Sequence, residues 1–279
     1  WGFVDFNRPM VAINQWEQAA DSMYTLCGKD RIHPSTDGHL VMAYLFLKAQ
    51  GLAGKPVADI RIDGAGKKVT RSDNCRVSDL SVSSDNLTFT YEAKSLPYPI
   101  DTSYYDNEKH TQADALSVIP FMDEMNYEGL SVSGLSDGYY GLTIGGEFIG
   151  RFTARELERG INMALLQNTP QYKQAMKIRQ MNEERWLKER KMREFYWVEY
   201  NLMRKTGMLW ACDEAAVDTL RKYRPHDIFL QWNGDLWLQY MHKGIREDCV
   251  NEQQNLVDRI YEQNKPIPLR IEIKKFTDL

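Results

Sequence analysis

Asp30-Arg31-Ile32-His33-Pro34-Ser35-Thr36-Asp37-Gly38-His39, running on into the apolar segment Leu40 to Leu47, is the stretch against which the rest of the chain is read. An acid three residues before a histidine, in a loop stiffened by proline, lets the carboxylate fold back onto one imidazole nitrogen. The other nitrogen then faces outward, the arrangement of a general base. Pro34 biases His33 toward extended backbone, so a helix begins after it, with Ser35 or Thr36 as the capping hydroxyl. A lone Asp-x-x-His pair is also an ordinary loop ion pair, and Asp30, His33 and His39 carry donor atoms suited to a metal. No second cluster of His or Cys accompanies them, so neither a metal nor any other cofactor is expected.

The same residues resemble the catalytic Asp-x-x-His block of the SGNH (GDSL-type) esterases and lipases. The likeness continues through Gly38-His39-Leu40-Val41-Met42-Ala43 and back into Gly2-Phe3-Val4-Asp5-Phe6-Asn7, which reads like a late strand of that family's sheet; it covers about the first fifth of the chain. The resemblance implies the tail of a flavodoxin-like α/β layer, His33 as general base toward a serine nucleophile, Asp30 as its orienting carboxylate, and an ester substrate such as an acylated glycan. In the family the Gly-Asp-Ser-type nucleophile turn and the oxyanion glycine and asparagine lie upstream of this block. Only 29 residues precede Asp30 here, and none of those blocks is among them. The expectation is the C-terminal portion of such a hydrolase, inactive by itself, whose N-terminal catalytic segment supplies the serine. The alternative, from a different class, is a non-catalytic module that binds carbohydrate or protein.

A chain of 279 residues can bury a sizeable core in two or three structural units. Its 35 basic and 39 acidic residues leave a net charge of −4, which gives no electrostatic case for nucleic acid or an anionic membrane. No apolar run approaches the ~18 residues of a membrane span. Cys27, Cys75, Cys212 and Cys249 are too scattered for a disulfide framework or a metal spacing. A bridge from Cys27 to Cys75 would tie the site loop to the next domain; buried free thiols are the other reading. Cysteine usage does not decide the compartment, and the balance leans toward a periplasmic or secreted protein.

The hydrophobic pattern then predicts an α+β fold: residues 1–52 as the tail of an α/β layer, which the resemblance implies is the end of an SGNH-like hydrolase domain, 53–152 as a β-rich accessory domain, and 153–279 as a helical region with a final strand. Residues 2–6 read as a short buried strand and Pro9 to Tyr24 as a helix. Strands follow from Val57, interrupted by an ordered loop from Ser95 to Tyr105 that carries Tyr98, Tyr104 and Tyr105, and Gly138 to Gly150 forms a hairpin turning at Gly145-Gly146. Six to eight strands in a meander or sandwich is the sum. Gly134-Leu135-Ser136-Asp137-Gly138 matches the Gly-x-Ser-x-Gly nucleophile motif, but it joins two strands instead of leading into a helix and reads as a β-turn, so Ser136 is not assigned as nucleophile.

Thr153 and Glu156 form a capping box for a helix to about Gln167, and one long helix covers Tyr172 to Lys205. Basic residues crowd Lys173 to Arg193, where a solvated face with helical ion pairs is favoured over a phosphate-binding one. Asp213 caps a helix to Tyr223, and another covers Trp237 to Gln263. Between them Pro225 to Gly234 reads as a loop in which Trp232 and Asn233 suit sugar stacking and hydroxyl recognition, unless Trp232 and Trp237 simply plug the helical core. Leu269 to Ile273 alternates with charge and reads as a last strand able to pair with an edge of an earlier sheet.

Overall fold

Period-two patterning carries through the middle of the chain into strands. The computed structural model describes residues 2–103 and 110–276; Tyr104 and Tyr105 lie outside the described residues. It contains β1 (Ala58–Asp63), β2 (Lys68–Asp73), β3 (Cys75–Val82), β4 (Asn86–Ala93), β5 (Glu128–Ser133), β6 (Tyr139–Ile144), β7 (Glu147–Thr153), β8 (Ile161–Asn162) and β9 (Leu269–Lys275). They form two sheets, ordered β2-β1-β5-β8 and β3-β4-β9-β6-β7, with β1 and β5 parallel and the remaining pairs antiparallel. Leu87, Phe89 and Tyr91 alternate inward on β4, as do Leu269, Ile271 and Ile273 on β9. They meet Ile60, Ile62, Leu130 and Val132 of the other sheet in one core. With its helices, the fold is α+β.

Two details of the sheets bear on the sequence reading. Gly145 and Gly146, at φ +59 and +85, make the two-residue turn between β6 and β7, a geometry that demands left-handed backbone at both positions. The last strand pairs with earlier strands on both sides: β9 lies between β4 and β6, with Ile271 opposite Phe89 on one side and Ile144 on the other. Its charged residues Arg270, Glu272 and Lys274 report only that one face of the sheet is wet, which holds for a central strand as much as for an edge.

The chain divides into two compact units, one running up to Ala175 and resuming at Lys265, the other Met176–Asn264. The first unit also holds α1 (Asn7–Glu17), α2 (Thr36–Ala49), α3 (Phe121–Glu124), α4 (Ala154–Arg159) and the start of α5 (Pro170–Val198). Residues 2–6 form no strand, and Phe3 is exposed. Helix α1 stops at Glu17 instead of Tyr24 because its own side chains take over the backbone beyond: Leu26 N–H donates to Asn14 Oδ1 (3.0 Å) and Gln18 Nε2 to the Tyr24 carbonyl (2.8 Å). The Thr153–Glu156 capping box is present, but α4 ends at Arg159 because Gly160, at φ +95, turns the chain into β8.

The second unit contains the rest of α5, a π-turn at Glu199–Met203, α6 (Glu214–Tyr223), α7 (Ile228–Tyr240) and α8 (Lys243–Gln263). Phe195, Val198, Met203, Leu220, Leu230 and Trp237 fill its core. Three arginines of α5 are answered at helical spacing, Arg179 by Glu183, Arg190 by Glu194 and Arg193 by Glu189, while Lys188 reaches Glu252 on α8 (2.6 Å). The expected loop from Pro225 to Gly234 is a correction. Asp227 accepts the N–H groups of Phe229 and Leu230 and starts α7 there, so Trp232 and Asn233 lie on a helix. No helix among the described residues is long and apolar enough to cross a membrane.

Candidate active site

The loop carrying Asp30 and His33 is built by its own short-range bonds. Gly28 N–H donates to the His33 carbonyl (2.8 Å) and Arg31 N–H to the Gly28 carbonyl (2.9 Å), closing a tight turn in which Arg31 adopts φ +57. That left-handed backbone costs a non-glycine residue on the order of 1 kcal/mol. Asp30 Oδ1 accepts the N–H groups of Ile32 (3.0 Å) and His33 (3.1 Å), which frees Oδ2 to meet His33 Nδ1 at 2.5 Å. The imidazole bond first, and the two backbone bonds after it, hold the Asp30 carboxyl down at about 2. The His33 side chain is 83% exposed and is not packed into a core.

Behind this loop the chain is anchored firmly. Ser35 N–H donates to the carbonyl of fully buried Leu26 (3.0 Å), and α2 starts at once, burying Leu40, Val41 and Tyr44 against Ile100, Ala115, Ile119 and Phe121. Gly38 is required here: a Cβ at this position would sit 2.0 Å from the Leu26 carbonyl oxygen. Ser35 is the N-cap residue in extended backbone, but its hydroxyl does not cap. It donates instead to Asp37 Oδ1, which also accepts the Gly38 N–H (2.8 Å).

Asp37 brings in a residue that the sequence reading missed. Its second oxygen meets His110 Nδ1 at 2.7 Å, forming a second Asp–His pair with Asp37 buried and His110 28% exposed. The 3₁₀ turn Gln112–Ser117 packs on α2 and so delivers His110. Tyr24 lies 5.7 Å from the His110 ring; burial, and after it the Asp37 charge, pushes its phenol up to about 12. No local spacing signals this pair, whose members are 73 positions apart.

The remaining candidates fall elsewhere. Ser136 lies between β5 and β6, which belong to different sheets, so its segment is a crossover and not the expected β-turn. No helix follows it, and its hydroxyl is bonded to Lys275 Nζ (2.8 Å) and Tyr140 OH (3.1 Å). Trp237 is fully buried, whereas Trp232 is 67% exposed with Phe229 edge-on to it at 5.4 Å. All four cysteines are free. Cys75 lies in the sheet core beside Ser72, and Cys27 in the site loop beside the Ile32 carbonyl, so the Cys27–Cys75 bridge is not formed. Among the described residues no group of three His, Cys, Asp or Glu could hold a metal ion.

With this geometry in place, the chain can be set beside known proteins. Residues 176–265 match the family model described as the diltiazem deacetylase C-terminal helical domain. A solved structure of a gut microbial diltiazem-metabolizing enzyme superposes with a TM-score of 0.93 at 42% sequence identity, covering 99% of this chain and 62% of its own. The chain therefore spans less than two thirds of the length of that enzyme. No curated protein sequence matches it.

Proposed function

We propose that this chain carries the general base and the orienting acid of an SGNH-type carboxylic-ester hydrolase acting on an acylated small molecule or sugar. The observation that carries the reading is the loop geometry: a carboxylate fixed by two backbone N–H groups holds Nδ1 of an exposed imidazole, which leaves Nε2 as the acceptor of a nucleophile's proton. The likeness to a diltiazem-metabolizing enzyme and to a deacetylase domain supports ester cleavage as the chemistry.

In this reading a serine Oγ attacks the ester carbonyl while His33 Nε2 takes its proton. The proton passes to the departing alkoxide, the alcohol leaves, and water activated by the same histidine releases the acid. Asp30 keeps the neutral ring in the correct tautomer and stabilises the imidazolium. The serine and the oxyanion donors come from a part of the whole protein that this chain does not span.

Labelling of the full-length protein with a fluorophosphonate probe, alongside hydrolysis of an acetyl ester such as diltiazem, tests this. Full-length protein should label and turn over, the His33→Ala variant should do neither, and the present chain alone should not label. Labelling that survives His33→Ala, or that maps to Ser136, would sink the proposal.

A further inference from the structure

The second unit holds a cleft of about 750 Å³ whose lining includes Tyr196, Trp210, Lys243, Asp248, Val250 and Asn251. Its aromatic wall is constructed at a cost. Trp210 has φ +65, a left-handed backbone that a bulky side chain adopts only when its surroundings enforce it, at on the order of 1–2 kcal/mol. The enforcing group is Glu199, buried in the π-turn: its Oε2 accepts the Trp210 backbone N–H (2.9 Å) and its Oε1 accepts Trp237 Nε1 from the core (2.8 Å). One interior carboxylate thus ties a core tryptophan to a strained one that remains 45% exposed. π-turns recur at functional positions.

Neighbouring rings fix the indole further. Tyr196 and Tyr200 stand perpendicular to it, with centroids 6.1 and 5.9 Å away. Arg246 donates to the Tyr240 and Met241 carbonyls at the end of α7, and its guanidinium sits 4.7 Å over Phe195 and 6.0 Å from Trp210. A rigid, partly exposed indole facing a cleft supplies a flat stacking surface without loss of side-chain entropy on binding. Beyond the rings, the lining sets the carboxylates of Glu247 and Asp248, the Asn251 amide and the Lys243 ammonium among Met192, Gly244, Arg246 and Val250, with Lys243 paired to Glu247 at 3.2 Å. A purely aromatic guest would leave the Asp248 carboxylate and the Asn251 amide desolvated and unanswered. A pyranose does not: its C–H face stacks on an indole while its rim of hydroxyls both donates and accepts.

We propose that this cleft is a carbohydrate-binding subsite, in which a sugar ring stacks on Trp210 and its hydroxyls bond to Asp248 and Asn251. A volume of this size accommodates one or two sugar rings. The site stands apart from the ester-cleaving reading, and its test is independent of it.

Titration calorimetry of the intact chain with cellohexaose, xylohexaose and mannohexaose, each up to roughly 10 mM, should find one that binds. Trp210→Ala should weaken that binding at least about tenfold. Because loss of the indole also disturbs Tyr196 and Tyr200, Asp248→Asn and Asn251→Ala serve as second variants: each should weaken binding by about threefold or more, with an unchanged melting temperature. His33→Ala should leave binding intact, so failure of the esterase reading would not touch this result. Absence of binding by all three sugars, or binding indifferent to Trp210, Asp248 and Asn251, would overturn the proposal.

Discussion

Two aspartates in one loop and the start of one helix, Asp30 and Asp37, each hold a histidine Nδ1, at 2.5 and 2.7 Å, in opposite settings. In the first pair the side chains are 83% and 47% exposed; in the second the carboxylate is 1% exposed and the ring 28%. Under the proposed reading the same chemical unit does two jobs. An exposed pair three residues apart contributes little to folding, because water competes for both partners and the loop's backbone bonds already fix the turn. It keeps a basic nitrogen accessible, as proton transfer requires. A buried pair that spans distant segments contributes to stability, because each partner left alone would be a desolvated polar group. It fastens the segment before the 3₁₀ turn to the first residues of α2.

The largest effect that tests this contrast, and with it the proposed ester hydrolysis, is His33→Ala in the full-length protein. Turnover should fall by about 10³- to 10⁴-fold, as it does when a catalytic base is removed, while the melting temperature moves by no more than about 2 °C. The mirror experiment is Asp37→Ala. It strips partners from the Ser35 hydroxyl, the Gly38 N–H and His110 at once. The expected loss is about 3 kcal/mol of stability by denaturant titration, with the His110 resonances shifted in the NMR spectrum. An Asp37→Ala protein as stable as the parent, beside a His33→Ala protein that unfolds, would reverse the assignment of roles.

The contrast also explains what could be read from the residues. Asp30 and His33 lie within one turn of loop, so spacing and Pro34 determine their geometry. His110 reaches Asp37 only through the packing of the 3₁₀ turn on α2, which no local pattern encodes. Gly38 carried a tertiary signal, the close approach to Leu26, that a single sequence does not decode. The strands and the Thr153–Glu156 cap were legible because alternation and capping are local. The place of β9 was not, since alternation records burial and not position in a sheet. In the second unit the aromatics near Pro225 drew attention to Trp232, although Asp227 stood ready to cap a helix there. Trp210 was passed over because its exposure depends on Glu199 and a left-handed backbone, both set by the packed core.

Asp30→Asn is the subtler probe, because it retains shape and removes only charge. The ionised Asp30 is favoured in the folded chain by the His33 bond and by the N–H groups of Ile32 and His33, which lower it from its ordinary 3.8 to about 2. For a depressed carboxyl the associated stability is present above the ordinary value and is lost as the pH falls toward about 2. Over roughly pH 5 to 9 the carboxylate thus stays charged, and its own titration adds no limb to the rate profile. The asparagine amide can still meet Nδ1, but it stabilises an imidazolium poorly, and by offering its own N–H it favours the tautomer whose proton sits on Nε2, the nitrogen that must be free. Turnover should drop by about 10²-fold, less than for His33→Ala, with KM little changed and the ratio to the parent constant across that pH range. In the double variant the two losses should not add, since with the ring gone there is nothing for Asp30 to orient. An Asp30→Asn enzyme with full activity would reduce the first pair to a loop ion pair, and one that loses stability instead of turnover would make it a second copy of Asp37–His110.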